Sequence, residues 1–317
     1  MSSLSDPGWL LHDGRSGHRR QALALAEALG LGPRELALPS GRLARWLAPR
    51  RWPGAERAFG PAFTELLADP PAYAIGCGRL PALATRLLHE RGTKVVQILH
   101  PRIATEHWDL VIAPEHDGLT GANVLTCKGS LNAIDEAWLA AARARFPQLG
   151  ALPGPRTAVL LGGPTPAVQF GRSAFEVLAS KLEYQRAREG GNLMICGSPR
   201  TPPELAALVR ERYCEGPGLV WVDESDGENF YAGALAFADR IIVSPDSVNM
   251  ISEACATSAP VFVAEPHRAT GRVRRFIADL EASGRVRAQT REPESFIATP
   301  LRETARIAAL VRERLAL

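Results

Sequence analysis

The chain has 317 residues, 46% of them hydrophobic and 22% charged, with a formal net charge of +3. This length suits two domains better than one, and the composition is that of a folded globular protein. A net charge this small argues against a general nucleic-acid-binding protein.

The sequence indicates neither a membrane span nor an exported protein. No run approaches about 18 consecutive apolar residues, and residues 1–15 lack the basic start and apolar run of a signal peptide. The five cysteines are scattered without a C-x-x-C pair, which favours a reducing compartment. We therefore expect a cytoplasmic protein, and any membrane contact to be peripheral, on the inner face of the cytoplasmic membrane.

Short apolar runs alternate with helical patterns throughout the chain. In the first half, strands are predicted within 8–14, 72–78, 94–99 and 109–119, with helices at 18–30 and 80–92. In the second half, strands are predicted within 157–165, 192–201, 218–223, 240–247 and 260–265, with helices at 173–190, 202–213 and after Asp246. This alternation predicts an α/β protein made of βαβ units with parallel sheets.

Prolines and glycines cluster at 146–156, where the periodicity stops, and this segment predicts a domain boundary. We expect an N-terminal Rossmann-like domain at 1–150 and a second one at 151–300. A C-terminal helix at 301–317 would pack back toward the first domain. Two such domains would place a cleft between the carboxyl ends of their sheets, where parallel sheets bind ligands.

The segment HDGRSGHRRQ, 12–21, carries a strand into a helix through Gly14 and Gly17. Glycines let a ligand approach the backbone, and the first turn of a helix favours an anion. His18 would lie at that rim, where it could act as a general base near neutral pH. The alternative is an ordinary βα turn with surface histidine and arginine.

The segment 97–119 brings further polar residues to strand ends. These residues are His100, Arg102, Glu115, His116 and Asp117. An acceptor-binding site or an acid–base pair would suit them, and plain loop residues are the alternative. A metal site is disfavoured because adjacent residues rarely face one metal.

Two strand ends of the second half could hold phosphate. Gly162, Gly163 and Thr165 follow the first strand, and Ser198 and Arg200 follow the next. The first segment matches neither the P-loop pattern nor G-x-G-x-x-G, so hydrolysis of the P-loop kind is not expected.

The segment SPDSVNMISE, 244–253, is unusually polar for a connection between a buried strand and a helix. Either Asp246 or Ser247 would cap the helix. The N–H groups that follow, those of Val248, Asn249 and Met250, would then bind a pyrophosphate. Glu253 lies about 9 Å further along the axis, where its carboxylate could accept hydrogen bonds from a ribose. The structural alternative is a buried ion pair for Glu253.

The segment GRLARWLAPRRWPG, 41–54, interleaves arginines with leucines and tryptophans. This composition suits the surface of an anionic membrane. A solvated basic face, with the tryptophans packed into the domain, is an equal alternative.

The segments at 244–263 and 222–239 resemble the ELM-like family, which is named for a plant mitochondrial-fission factor and whose bacterial members are treated as glycosyltransferases. The segments at 13–30, 100–102, 114–117 and 160–164 extend the resemblance along nearly the whole chain. It implies a GT-B fold, in which the second domain binds a nucleotide sugar and the first binds the acceptor. A distant relative is the lipid-linked N-acetylglucosaminyltransferase of peptidoglycan synthesis, with a similar glycine–histidine loop and a Ser-Glu pair matched by Ser252 and Glu253.

The resemblance implies roles for particular residues. Glu253 would hold the ribose, Ser247 to Met250 would meet the pyrophosphate, and His18 would face the acceptor or the phosphate. The rest of the acceptor side would comprise Gly14, Gly17, Gln21, His100, Arg102, Glu115 and His116. The sequence departs from the peptidoglycan enzyme at Asp13 and Arg15, which suggests a different acceptor.

The sequence thus predicts a glycosyltransferase that moves a sugar from a nucleotide-diphosphate donor to a cell-envelope acceptor, either lipid-linked or a lipooligosaccharide. The base would be His18, with Asp13 or Asp117 behind it, and no metal or other cofactor would be required. A non-catalytic scaffold at a membrane surface is the alternative. A short-chain epimerase or dehydrogenase is disfavoured because no tyrosine is followed four positions later by lysine.

Overall fold

The computed structural model describes residues 8–39, 41–215 and 218–317. Residues 1–7, which enter the prediction that no signal peptide is present, lie outside the described residues. The chain divides into two compact units, unit 1 with Met1–Ala133 and Glu303–Leu317, and unit 2 with Ile134–Arg302.

The division falls before Ile134, earlier than the boundary near residue 150 that the proline- and glycine-rich segment suggested. The reason is packing. Leu139, Phe146 and Leu149 are buried in the same apolar core as the strands of unit 2. The segment that was assigned to the end of the first domain therefore belongs to unit 2.

Unit 1 contains a six-stranded sheet, and every pairing in it is parallel. Its elements are β1 (Trp9–His12), α1 (Ser16–Ala28), β2 (Arg34–Ala37), α2 (Arg42–Leu47), α3 (Pro61–Ala68), β3 (Tyr73–Cys77), α4 (Arg79–His89), β4 (Lys94–Ile98), β5 (Leu110–Pro114) and β6 (Val124–Cys127). The strand order is β2-β1-β3-β4-β5-β6.

Unit 2 contains a second six-stranded parallel sheet, in the order β12-β11-β10-β7-β8-β9. Its elements are α5 (Glu136–Arg145), α6 (Pro147–Gly150), β7 (Arg156–Leu160), α7 (Arg172–Glu189), β8 (Asn192–Cys196), α8 (Pro203–Tyr213), β9 (Gly218–Trp221), α9 (Tyr231–Phe237), β10 (Arg240–Val243), α10 (Val248–Cys255), β11 (Val261–Val263), α11 (Gly271–Ala282) and β12 (Val286–Ala288). The chain then returns to unit 1 as α12 (Glu303–Leu315).

The sheet of unit 1 is covered by apolar side chains on both faces, as a parallel sheet requires. Successive residues of a strand point to opposite faces, and the neighbours Leu10 and Leu11 accordingly lie in two different core clusters. The cluster of Leu10 includes Leu25 from α1 and Ile307 from α12. In the described ranges no helix is long and apolar enough to cross a bilayer.

Strand order fixes where each sheet can bind a ligand. In unit 1 the chain leaves β1 for β2 on one side and then crosses to β3 on the other. In unit 2 it runs from β7 through β8 and β9 on one side and then crosses to β10 on the other. The order therefore reverses between β1 and β3 and between β7 and β10. At such switch points the connections after the two strands diverge and leave a crevice at their carboxyl ends.

Candidate functional site

At the switch point of unit 2, two consecutive hydrogen bonds connect the turn after β7 to the turn after β10. The N–H of Gly162, after β7, donates to Ser244 Oγ at 2.8 Å, and that hydroxyl donates to Asp246 Oδ1 at 2.6 Å. A Cβ added at Gly162 would lie 2.4 Å from Asp246 Oδ1. Glycine is therefore required here because the carboxylate that follows β10 occupies the space of a side chain.

The turn after β8 packs tightly against the turn after β7 and is hydrogen-bonded to it. A Cβ added at Gly163 would lie 1.9 Å from the carbonyl oxygen of Arg200, so the two backbones touch. The Arg200 guanidinium donates to the carbonyls of Gly163 and Asp246 at 3.2 and 3.4 Å. Thr201 Oγ1 accepts the Ser198 N–H at 2.8 Å and lies 2.8 Å from the Gly162 carbonyl oxygen. The predicted residues Gly162, Gly163, Ser198 and Arg200 thus come together.

The cap of α10 is Ser247, whose Oγ accepts the Met250 N–H at 3.4 Å. Of the three predicted pyrophosphate donors, Met250 therefore already has an acceptor within the turn. Val248 and Asn249 open the helix and are half-buried. The start of an α-helix carries a partial positive charge, which favours an anion at this point of unit 2.

Glu253 is buried, with 7% of its surface exposed. The Tyr231 hydroxyl, at the start of α9, donates to Glu253 Oε2 at 2.5 Å. Ser252, the other member of the Ser-Glu pair, donates its hydroxyl to the Val248 carbonyl at 2.7 Å. Tyr231 lies 22 residues from its partner, and no local sequence pattern connects the two, so sequence reasoning missed it.

Two polar atoms beside the turns of unit 2 are buried without a hydrogen-bond partner. They are Asp246 Oδ2 and Thr165 Oγ1. Burial raises the pKa of Asp246 to about 6, although the hydrogen bond from Ser244 works in the opposite direction. Thr165 forms a tight turn in which its N–H donates to the Val168 carbonyl at 2.9 Å.

The switch point of unit 1 holds an Asp–His pair. Asp13 follows β1, His18 lies in the first turn of α1, and His18 Nδ1 is 3.0 Å from Asp13 Oδ1. Burial acts to raise the pKa of Asp13, but the hydrogen bond and charge of His18, together with the N–H and charge of Arg15, lower it below its ordinary value. A carboxylate beside Nδ1 favours the tautomer of His18 that carries its proton on Nδ1. Nε2 is then unprotonated and can accept a proton.

The His18 ring packs against Gly78, which follows β3. A Cβ added at Gly78 would lie 2.6 Å from His18 Nδ1. The carbonyl of Gly78 accepts from Gln97 Nε2 at 3.1 Å. Gln97 Oε1 accepts from Thr85, whose hydroxyl oxygen in turn accepts from the Trp108 indole at 2.9 Å. A buried polar network below the turn therefore fixes the backbone on which the histidine rests.

The other predicted residues of the first strand end occupy separate environments. Gly14 forms the turn after β1 with φ of 80°, and its N–H donates to His12 Nδ1 at 3.1 Å. Gly17 is not a loop residue as expected, because α1 already begins at Ser16. Gln21 lies on the buried face of α1 with 4% of its surface exposed.

The residues predicted after β4 and β5 form a second polar group at the carboxyl edge of the same sheet. His100 Nδ1 accepts the Arg102 N–H at 3.0 Å, and Arg102 lies 3.7 Å from the Asp117 carboxylate. Arg102 has a positive φ of 67°, which is rare for a residue with a side chain. Glu115 and His116 lie in the short 3₁₀ turn with Asp117. Within the described ranges, no three histidine, cysteine, aspartate or glutamate residues group as metal ligands would.

The fold and these strand-end sites define a class of protein. Both units are Rossmann-like, each has polar groups at its switch point, and solved structures of the GT-B class share the fold over the whole chain. UDP-GlcNAc 2-epimerase from Neisseria meningitidis bound to UDP-GlcNAc matches with a TM-score of 0.55 at 11% identity, over 98% of this chain and 100% of that chain. MurG from Acinetobacter baumannii matches with a TM-score of 0.50 at 17% identity, over 97% and 91%. The predicted α/β, GT-B-like fold class is confirmed.

The family follows from sequence comparison. The model of the family described as mitochondrial fission ELM1 matches residues 16–315, and the chain belongs to this family. The mitochondrial fission protein ELM1 of Arabidopsis thaliana is 31% identical over 278 residues, which are 78% of this chain and 65% of that protein. The chain thus spans less than two thirds of the plant relative. The resemblance to the ELM-like family read from the sequence is confirmed.

Proposed function

We propose that the protein is a glycosyltransferase that takes a sugar from a nucleotide-diphosphate donor held by unit 2. The observation that carries the proposal is the polar arrangement at the switch point between β7 and β10. There a capped helix start, two glycines without room for a side chain and a buried carboxylate occur together. A nucleotide diphosphate has an anionic part for the helix start and a ribose for the carboxylate.

In this proposal the diphosphate lies at the start of α10, beside Gly162 and Gly163. The missing Cβ atoms let the turns after β7, β8 and β10 pack closely, which brings Arg200 and the start of α10 to one edge of the sheet. Arg200 adds a positive charge, and its hydrogen bonds to two backbone carbonyls hold it at this edge. During transfer the same groups would stabilise the negative charge that develops on the leaving diphosphate.

Glu253 would accept hydrogen bonds from the two ribose hydroxyls. A buried carboxylate needs hydrogen-bond donors, and Tyr231 supplies one from within the protein. Tyr231 also fixes the rotamer of the carboxylate, so that the ribose meets a preorganised acceptor.

On the acceptor side, His18 would remove the proton from the attacking hydroxyl through Nε2. Asp13 would orient the ring and stabilise the imidazolium that forms, because its carboxylate is held at Nδ1. Asp117 and its neighbours at the carboxyl edge of unit 1 would bind the acceptor. The sequence resemblance to a lipid-linked N-acetylglucosaminyltransferase supports a glycan or glycolipid acceptor of the cell envelope.

The first experiment is calorimetric titration of the protein with UDP, GDP, CDP and ADP, followed by their sugar conjugates. Glu253→Gln should weaken the binding of the preferred nucleotide roughly 10- to 100-fold, since hydrogen bonds to a charged group contribute about 1.5–3 kcal/mol. Glu281→Gln is the matched control, because Glu281 also lies in unit 2, on α11, and pairs with Arg274 of the same helix at 3.2 Å. This variant should bind like the parent.

Turnover then separates the proposed transferase from its rivals. With acceptor present, His18→Gln should lower transfer by about 10²- to 10⁴-fold and leave nucleotide affinity unchanged. NMR of the sugar product distinguishes transfer from epimerisation at the sugar, the reaction named for one of the fold relatives. If no nucleotide binds, the transferase proposal fails and a scaffold function takes its place.

A further inference from the structure

Helix α2 of unit 1 exposes two of its three large apolar side chains, and the third, Leu47, is half-buried. Leu43 and Trp46, three residues apart on one face, are 57% and 78% exposed. Ala44 and Ala48, on the opposite side, are 3% and 2% exposed. A surface helix ordinarily buries its larger apolar side chains. Since α2 does the reverse, its largest apolar area is available to a partner.

The exposure of Trp46 does not come from a loose helix end. Arg79, the first residue of α4, donates from its guanidinium to the carbonyls of Arg45, Trp46 and Ala48, at 3.3, 2.9 and 2.7 Å. These carbonyls belong to the last turn of α2, where intrahelical donors are lacking. The guanidinium therefore fixes the helix in the orientation that turns Trp46 outward.

Positive charge surrounds the exposed apolar pair. Arg42 and Arg50 are exposed and make no ion pair with any described residue. Arg51, by contrast, is neutralised by Glu56 and Glu90, at 2.9 and 2.7 Å. Unpaired positive charge therefore lies next to Leu43 and Trp46 in the sequence, at the start of α2 and just after its end.

We propose that the α2 patch, defined as Arg42, Leu43, Arg45, Trp46 and Arg50, docks the protein on an anionic lipid bilayer. Tryptophan and arginine suit this boundary, because the indole prefers the headgroup level and guanidinium groups bind phosphate. The apolar area is small for a protein partner. Even a wholly buried tryptophan contributes at most about 250 Å², whereas a stable protein interface buries about 800 Å² on each partner. A bilayer needs no complementary surface of that size.

The test is co-sedimentation of the full chain with vesicles, without nucleotide, so that its result is independent of the proposed transferase activity. We expect binding to mixed phosphatidylcholine–phosphatidylglycerol vesicles, weakened by salt, and little binding to pure phosphatidylcholine. Trp46→Ala should lower the partition coefficient about tenfold or more. Arg42→Gln combined with Arg50→Gln should lower it roughly 25-fold, at about fivefold for each arginine.

Matched controls lie in unit 2. Ile297→Ala removes a fully exposed apolar side chain. Arg172→Gln removes an arginine whose side chain is 78% exposed but lies 3.8 Å from the Glu176 carboxylate, so its charge is paired. Both variants should bind vesicles like the parent. Thermal unfolding of every variant should match the parent, since the altered side chains of the α2 patch are exposed.

Brominated lipids locate the contact. They should quench tryptophan fluorescence in the parent, and Trp46→Phe should retain binding but lose most of the quenching. The proposal is overturned if Trp46→Ala binds anionic vesicles like the parent, or if neutral and anionic vesicles bind equally. It is also overturned if the patch instead mediates self-association, seen as a Trp46-dependent dimer in sedimentation velocity without vesicle binding.

Discussion

Asp246→Asn should stabilise the protein relative to the parent increasingly as the pH rises. Asp246 is 5% exposed, its Oδ2 has no hydrogen-bond partner, and burial raises its pKa from 3.8 to about 6. A carboxyl whose pKa is higher in the folded state than in the unfolded chain holds its proton more tightly when folded. Ionisation of Asp246 therefore opposes folding.

The size of the effect follows from the two pKa values. The difference between 3.8 and 6 corresponds to about 3 kcal/mol, at about 1.4 kcal/mol per pKa unit. The sign of the pH dependence is that of an acid whose pKa is higher in the folded state than in the unfolded chain. The cost is fully present above the folded pKa, decreases as the pH falls from about 6 toward 4, and disappears below the unfolded pKa. Asparagine has the same shape, carries no charge and can still accept the Ser244 hydrogen bond.

The measurement is denaturant unfolding of both proteins at several pH values between about 4 and 8, followed by circular dichroism. The quantity of interest is the variant-minus-parent free energy, because the other titrating groups cancel in that difference. An amide nitrogen at the position of Oδ2 adds a penalty that does not change with pH. The slope, and not the absolute value, therefore tests the reasoning.

Asp239→Asn supplies a control of opposite sign. The hydrogen bond and charge of Arg156 lower the pKa of Asp239, so this carboxylate stabilises the folded state above its unfolded pKa and loses that contribution as the pH falls. Asp239→Asn should thus be least stable relative to the parent at neutral pH. A difference for Asp246→Asn that is flat, or that declines with rising pH, would refute the account of Asp246 as a buried, partly unpartnered carboxylate.

Two glycine substitutions test the strand-end contacts. Gly163→Ala should cost about 1–3 kcal/mol of stability and weaken nucleotide binding at least about tenfold, because the added Cβ would lie 1.9 Å from a backbone carbonyl oxygen. Scanning calorimetry measures the first effect and titration calorimetry the second. The control is Gly171→Ala, where no atom lies within 4 Å of the added Cβ and neither effect is expected. Gly78→Ala should lower turnover by about 10²-fold through displacement of the histidine ring, with nucleotide affinity unchanged. Gly54→Ala is the control, because Gly54 also has a positive φ but no atom lies near its Cβ position. An equal loss of turnover in Gly54→Ala would assign the effect at Gly78 to backbone strain rather than to displacement of the ring.

The strands that the sequence failed to predict all lie at sheet edges. They are β2, β6 and β12, with the sequences RELA, VLTC and VRA. An edge strand pairs on one side only, and these three are partly exposed, so their sequences lack the continuous apolar run that marks a central parallel strand. The edge strand β9 was predicted because its sequence, GLVW, keeps an apolar run although its residues are half-buried. The central strands were predicted because each must be apolar on both faces. The presence of a continuous apolar run therefore decided which strands could be predicted from the sequence.

The candidate donor site was predictable where it is local in sequence. Ser247 and Glu253 lie on one helix, so capping rules and helical rise were enough to relate them. Tyr231 and Thr201 were missed because their contacts depend on which strands are neighbours. That information resides in the sheet order, which a single sequence with alternating strands and helices leaves open.

The two switch points share one arrangement, in which a titratable side chain from one strand end packs against a glycine at the other. In unit 2 the space beside Gly162, after β7, is filled by Asp246, after β10. In unit 1 the space beside Gly78, after β3, is filled by His18, after β1. In both cases the glycine follows one strand bordering the reversal, and a titratable side chain from the other border occupies the place of its Cβ. A side chain held against backbone in this way has little rotamer freedom. His18 Nδ1 finds a partner in Asp13, whereas Asp246 Oδ2 has no hydrogen-bond partner. Gly78 and Gly162 thus each mark the place where a polar side chain that is far away in sequence, from across the reversal, is held in position.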